Sequence, residues 1–258
     1  MHAVIMLHGW SFTPGIVIGI VVPAGLYAAG ITRLWRAAGT GHGIRVRAAG
    51  MFAAGIAAIV LALLSPLDEL ADQLQSVHMI QHLILIVVAP PLLLAGEPVR
   101  ALVWAFPQRV RTAMPRWART SFWRRLGFFL TAPSAAFALH AMALLVWHVP
   151  GPYDAAVRSE TIHALEHLSF LGTALLFWWA LIAPSPFRRL PTALRVPYVV
   201  GMSLVGAAIG AVLTFATSPL YEVYVASAPA WGVTALEDQQ LAGLIMWIPG
   251  GFAYLIAA

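Results

Sequence analysis

The sequence contains no cysteine, and all fifteen of its basic residues are arginine. Without cysteine the chain can neither staple itself with disulfides nor deliver a metal through thiolates. Charge is scarce too: 10% of the 258 residues are Asp, Glu, Lys or Arg, where a soluble domain carries about a quarter. With 60% hydrophobic residues, there is no stretch from which a soluble domain could be built. The longest segment between apolar runs is about 97–125. What remains is an integral membrane protein.

A membrane-crossing helix needs about 20 apolar residues. Seven runs meet that need, at about 14–36, 45–66, 76–96, 126–149, 160–183, 195–217 and 237–258. They are continuous and lack two-residue alternation, so they are expected to be helices and not barrel strands. The expected fold is all-α: a bundle of seven transmembrane helices forming one membrane domain over 1–258. The first run has no basic leader or small-residue cleavage site, so it is not read as a signal peptide. The Arg- and Trp-rich segment 97–125, broken by Pro107 and Pro115, suits a helix lying in the interface. Pro90-Pro91 marks a kink or helix end in the third run.

The arginines set the orientation. Arg33, Arg36, Arg45 and Arg47 follow run one, seven more lie from Arg100 to Arg125, and Arg188, Arg189 and Arg195 precede run six. Only Arg158 falls on the other side. The positive-inside rule puts these loops in the cytoplasm, the N-terminus outside and the C-terminus inside. The pI of about 10.2 thus reflects topology, and nucleic acid is not an expected partner; the lipid bilayer is. The chain ends at LIAA, without the basic tail this topology leads one to expect. GMSLVGAAIGAV in run six offers small residues for close helix contact, including a homo-oligomer seam.

Acids and histidines sort to the other face, His42 being the one histidine inside. Asp68, Glu69, Asp72, Asp154, Glu160, Glu166, Glu222, Glu237 and Asp238 lie at the outer ends, and Glu97 alone inside. HMIQH at 78–82 opens run three and HALEH at 163–167 opens run five. His148 ends run four, with His140 about two turns deeper, and His2 and His8 are outside as well. Histidines four apart share a helical face and can hold one metal ion between them. His78, His82, His163 and His167 are therefore the expected ligands. Imidazole suits copper, zinc, iron and nickel. Glu166 could ligate or orient a ring, and His148 could support it. Asp238, Gln239 and Gln240 could close the site from the last helix, while Met79 and Met246 offer thioethers suited to cuprous ion. A hydrogen-bonded polar cluster is the plainer alternative. Asp68, Glu69 and Asp72 read most simply as solvated charges, or as a cation-attracting mouth.

HMIQHLILIVVAPPLLLAGEP, HALEHLSFLGTALLFWWALI and EDQQLAGLIMWIPGG, in that order, resemble the multi-span cytochrome c oxidase assembly factors of the CtaG family, Bacillus type. The likeness runs from GWSFTP at 9–14 to the end. It implies a bacterial plasma-membrane metallochaperone that binds copper near the outer face and passes it to haem-copper oxidase subunits. The residues carrying it are His78, His82, His163, Glu166, His167, Asp238, Gln239 and Gln240. An enzyme is less expected, although HALEH also fits the H-x-x-E-H zinc-hydrolase pattern, with Glu166 as base. Haem ligation by facing histidines is a further alternative. The apolar inner halves of the runs argue against transport through to the other side.

Overall fold

The computed structural model describes residues 9–118, 121–183 and 190–256, with the side chains of 114–118, 121, 253, 255 and 256 excepted. His2, His8, Arg188 and Arg189 lie outside the described residues. Among the described residues the chain is helical and has no strand. Five helices are long and apolar enough to cross a membrane: Pro14–Ala38 (α1), Val46–Leu63 (α2), Gln75–Ala95, Glu160–Ile182 (α11) and Thr192–Phe215 (α12). Within Gln75–Ala95 the chain runs as α4 (Gln75–Leu83), a π turn (Ile84–Val88) and α5 (Ala89–Ala95). Pro66–Ala71 (α3) precedes it. Pro98–Trp104 (α6), Gln108–Ala118 (α7) and Ser121–Leu130 (α8) follow it, so the segment expected to be interfacial is three short helices.

The run expected at 126–149 is not one straight helix. α8 and Pro133–Trp147 (α9) meet at a 67° bend. Pro133 begins α9, and Ala132 before it is extended. Proline has no N–H for the preceding turn and pushes its predecessor out of the helical region, so the helix has to break there. Pro150–Arg158 (α10) leads into α11, and Ala235–Ile256 (α13) ends the described chain. Thr234 and Glu237 form a capping box at the start of α13, Thr234 N–H donating to Glu237 Oε2 at 2.8 Å and Glu237 N–H to Thr234 Oγ1 at 3.2 Å.

The Gln75–Ala95 segment separates two apolar cores. Met79, Ile86 and Val87 pack with α9, α11, α12 and α13. Leu85, Ala89 and Leu93 pack with α1 and α2. The π turn between them has a local cause. Ile86 C=O would accept from residue 90 in an α-helix and from residue 91 in a π-helix, and both are proline. The Trp178 indole N–H of α11 donates to this carbonyl instead, at 2.8 Å, as a backbone acceptor away from water requires.

α12 and α13 pack closest where both lack a side chain. A Cβ on Gly210 would lie 2.7 Å from Gly243 O. The close contact expected of the run-six glycines is therefore made at Gly210 with α13 of the same chain, while Gly206 faces open space.

Candidate metal centre

α4 and α11 bring their histidine pairs together. His78, His163, Glu166 and His167 each place one ligand atom so that all four lie within 4.8 Å of one another. His82 joins from the next turn of α4. Its Nε2 lies 3.6 Å from Glu166 Oε1, and His78 Nε2 lies 3.8 Å from Glu166 Oε2. Ring centres are 4.2 Å apart within each pair and 5.2 Å apart for His78 and His163 across the helices. A metal–nitrogen bond of about 2.0–2.1 Å puts two tetrahedral imidazoles about 5 Å apart, centre to centre. His148, the residue that ends α9, stands 6.2 Å from His82.

The cluster is dry. His78 and Glu166 are fully buried, His82 and His167 nearly so, while His163 and His148 are partly buried. Yet among the described residues His78 Nε2, both nitrogens of His82, and Nε2 of His148, His163 and His167 have no hydrogen-bond partner, nor does either oxygen of Glu166. An unpaired buried polar group costs about 1–3 kcal/mol. A fold does not gather so many at one point unless something else satisfies them.

Two rings are held so that the free nitrogen can act as a ligand. His148 Nδ1 meets Leu144 C=O at 2.7 Å. A carbonyl only accepts, so Nδ1 carries the proton and the neutral ring leaves the Nε2 lone pair free. His78 Nδ1 lies 3.2 Å from the Tyr224 hydroxyl, which also lies 3.2 Å from the Tyr153 hydroxyl and donates to Ala71 C=O at 3.1 Å. Both tyrosines are buried against the cluster. Nothing in the sequence pattern singled them out, because Tyr224 comes from a short 3-10 turn, Glu222–Tyr224, between α12 and α13.

The other expected supporters have different work. Asp238 accepts hydrogen bonds from Gln75 N–H at 2.6 Å, from Ser76 N–H at 3.2 Å and from the Ser76 hydroxyl. It caps α4 from another helix, since Leu74 at the N-cap position has no capping side chain. Gln239 Oε1 accepts from Leu220 N–H at 2.6 Å, and Gln240 donates to Ala216 C=O at 3.3 Å. Both tie down the chain that follows α12. Gln81, passed over in the sequence, is fully buried and donates to Ala62 C=O at 2.9 Å and Asp68 Oδ1 at 2.7 Å, bracing α4 against α2 and α3. His140 has both nitrogens engaged, with Thr173 Oγ1 at 3.0 Å and Tyr254 OH at 3.4 Å. Met79 is core, and Met246 lines a separate small cavity with Tyr254.

Two larger cavities reach the cluster. One, of about 350 Å³, is lined by Asp68, Glu69, Asp72, Glu160, His163 and His167, along with the segment before α1. Among the described residues no arginine lines it. Burial of the Asp72 carboxyl in this wall, then the nearby carboxylates of Asp68, Glu160 and Glu69, push its pKa up to about 6. The other cavity, about 810 Å³, is almost wholly apolar, runs between α1, α2, α5 and α11, and touches His167.

The family model for the cytochrome c oxidase caa3 assembly factor (Caa3_CtaG) matches residues 25–258. The chain belongs to this family. Membership covers α2 to α13 entire and all six side chains of the cluster. The chain is also 29% identical over 249 residues to uncharacterized proteins of Mycobacterium bovis and Mycobacterium tuberculosis, and 28% identical over 244 residues to one of Mycobacterium leprae. These matches take in 92–94% of this chain but only 36–37% of the relatives. The chain therefore spans little more than a third of their length. No solved structure matches.

Proposed function

We propose that this protein is a membrane metallochaperone that captures copper at the His78, His82, His163, Glu166 and His167 cluster and passes it to a haem-copper oxidase during assembly. The observation that carries the reading is the convergence of unpartnered, buried imidazole nitrogens and both Glu166 oxygens on one point. Family membership supplies the oxidase as recipient. The chain crosses the bacterial plasma membrane seven times, α8–α9 forming one bent crossing and α13 the last, with the cluster near the outer face. The arginine-poor acidic cavity is the route in. Its carboxylates raise the local cation concentration, and His163 and His167 stand at its inner end.

Metal analysis of purified protein after copper loading and desalting tests this. Wild type should retain copper and His78→Ala/His163→Ala should lose it. A wild type that retains no metal under any loading would overturn the reading.

A second reading has its own support. His78 supplies the third ligand that HALEH alone lacks, and the apolar cavity touching His167 could admit a lipid-like substrate. In this reading the protein is a zinc hydrolase. Against it, both oxygens of Glu166 face imidazoles at 3.6 and 3.8 Å, the position of a ligand and not of a free base. Zinc retained in preference to copper would favour the hydrolase.

A further inference from the structure

The cluster offers more donors than one ion can use. Five imidazoles, when neutral, supply five lone pairs, and Glu166 supplies two oxygens, none of them hydrogen-bonded among the described residues. A tetrahedral ion takes four ligands. One ion would leave three buried donors unmet, each at a free-energy cost.

The donors also divide spatially. His78, His163 and His167 gather with Glu166 within 4.8 Å. His82 lies one turn further along α4, its ring 4.2 Å from that of His78 and 6.2 Å from that of His148. Glu166 lies between, with Oε2 nearest His78 at 3.8 Å and Oε1 nearest His82 at 3.6 Å. Its two oxygens face two different rings, His78 and His82.

We propose that the site binds a pair of metal ions bridged by the Glu166 carboxylate. This rests on the metallochaperone reading above and deepens it. The first ion takes His78, His163, His167 and Oε2 of Glu166. The second takes His82, His148 and Oε1, which leaves it one open position. Each donor then has a partner. Bridging carboxylates hold ions about 3.5–4 Å apart, a span that one carboxylate can bridge. The second ion has fewer ligands and the wider ring pair, so it is the weaker and more exchangeable of the two. It is the ion available for hand-off. The fixed Nδ1–H bond of His148 to Leu144 C=O presents that nitrogen to the second position. Four carboxylates in the adjoining cavity offset the added positive charge.

The experiment is native mass spectrometry of the full chain in detergent, titrated with copper and separately with zinc, alongside spin counting on the cupric form. Wild type should take up two ions in separate steps. His148→Gln should take up one and keep a wild-type thermal midpoint before loading, which shows that it folds. Cupric ions bridged by Glu166 should give less than the full spin count, and Glu166→Gln should lose that coupling. One ion at saturation in wild type would overturn the pair and leave the metallochaperone reading standing. No ion at all would overturn both. Two ions in His148→Gln, with one lost in Asp72→Asn/Glu160→Gln instead, would move the second position to the acidic cavity and overturn the assignment.

Discussion

Replacing Asp238 with alanine separates a positioning residue from a ligand. In the structure this carboxylate holds the first two N–H groups of α4 and the Ser76 hydroxyl, three residues before His78. It is buried to 2% exposure, so water cannot readily take its place. Each of the three groups left unpaired costs about 1–3 kcal/mol, or about 3–9 kcal/mol together. Removing a buried carboxylate gives back several kcal/mol of desolvation. The balance is a loss of about 2–4 kcal/mol. At about 2–4 °C per kcal/mol for a chain of this size, the thermal midpoint should fall by about 5–15 °C. The first turn of α4 loosens and His78 loses its fixed place. Metal affinity should then weaken by about 10–100-fold, as when a supporting partner of a ligand is removed. The number of ions bound at saturation should not change. Differential scanning fluorimetry and a metal titration in detergent measure the two effects. A lower stoichiometry with an unchanged midpoint would refute the capping role and make Asp238 a ligand.

Four further outcomes follow from the same geometry. Trp178→Phe strips the donor from the Ile86 carbonyl and should cost about 1–3 kcal/mol. Adding Pro90→Ala, which restores an intrahelical N–H, should recover part of the loss in a thermal melt. Gly243→Ala sets a Cβ 2.7 Å from Thr214 N and should cost about 1–3 kcal/mol by forcing α12 and α13 apart; a neutral effect on the melt would contradict their close packing. His140→Ala should leave metal stoichiometry at the wild-type value, because both of its nitrogens are engaged away from the cluster. The Asp72 carboxyl, pushed up to about 6 in the fold from 3.8, favours the protonated state there, so its contribution to stability is present at low pH and is lost as pH rises from about 4 through about 6. Asp72→Asn should therefore raise the midpoint at pH 7 and leave it unchanged at pH 4. If the midpoint difference instead grew toward low pH, the cause assigned to Asp72 would be wrong.

The two histidine pairs that meet in the fold were legible because the information is local. Histidines four apart share a face whatever the helix packs against. What supports those histidines is not local. The N-cap of α4 is leucine, which cannot cap, so an outside acceptor was required. The sequence could show that need but not that Asp238, more than 160 residues later, meets it. Tyr224 and Tyr153 reach His78 from a 3-10 turn and a short helix between the long ones, where periodicity carries no signal. His148 was visible as a supporter, but its set nitrogen depends on one backbone carbonyl, Leu144, and on where α9 ends.

The proline pair illustrates how a local rule becomes a site. Read alone, Pro90-Pro91 predicts a kink or an end. In the fold the segment continues through a π turn, which fits one extra residue into the helix and shifts the facing of everything beyond it. Above the turn, α4 points His78 and His82 at α11. Below it, Ala89 and Leu93 pack toward α2 and α1. A regular helix would tie the two faces together at a fixed angle. The Ile86 carbonyl freed by the prolines is held by Trp178, on the same helix that carries His163, Glu166 and His167. The contact that satisfies the broken helix therefore also fixes α11 against it, three turns below the histidine cluster, and sets the spacing at which the two histidine pairs meet.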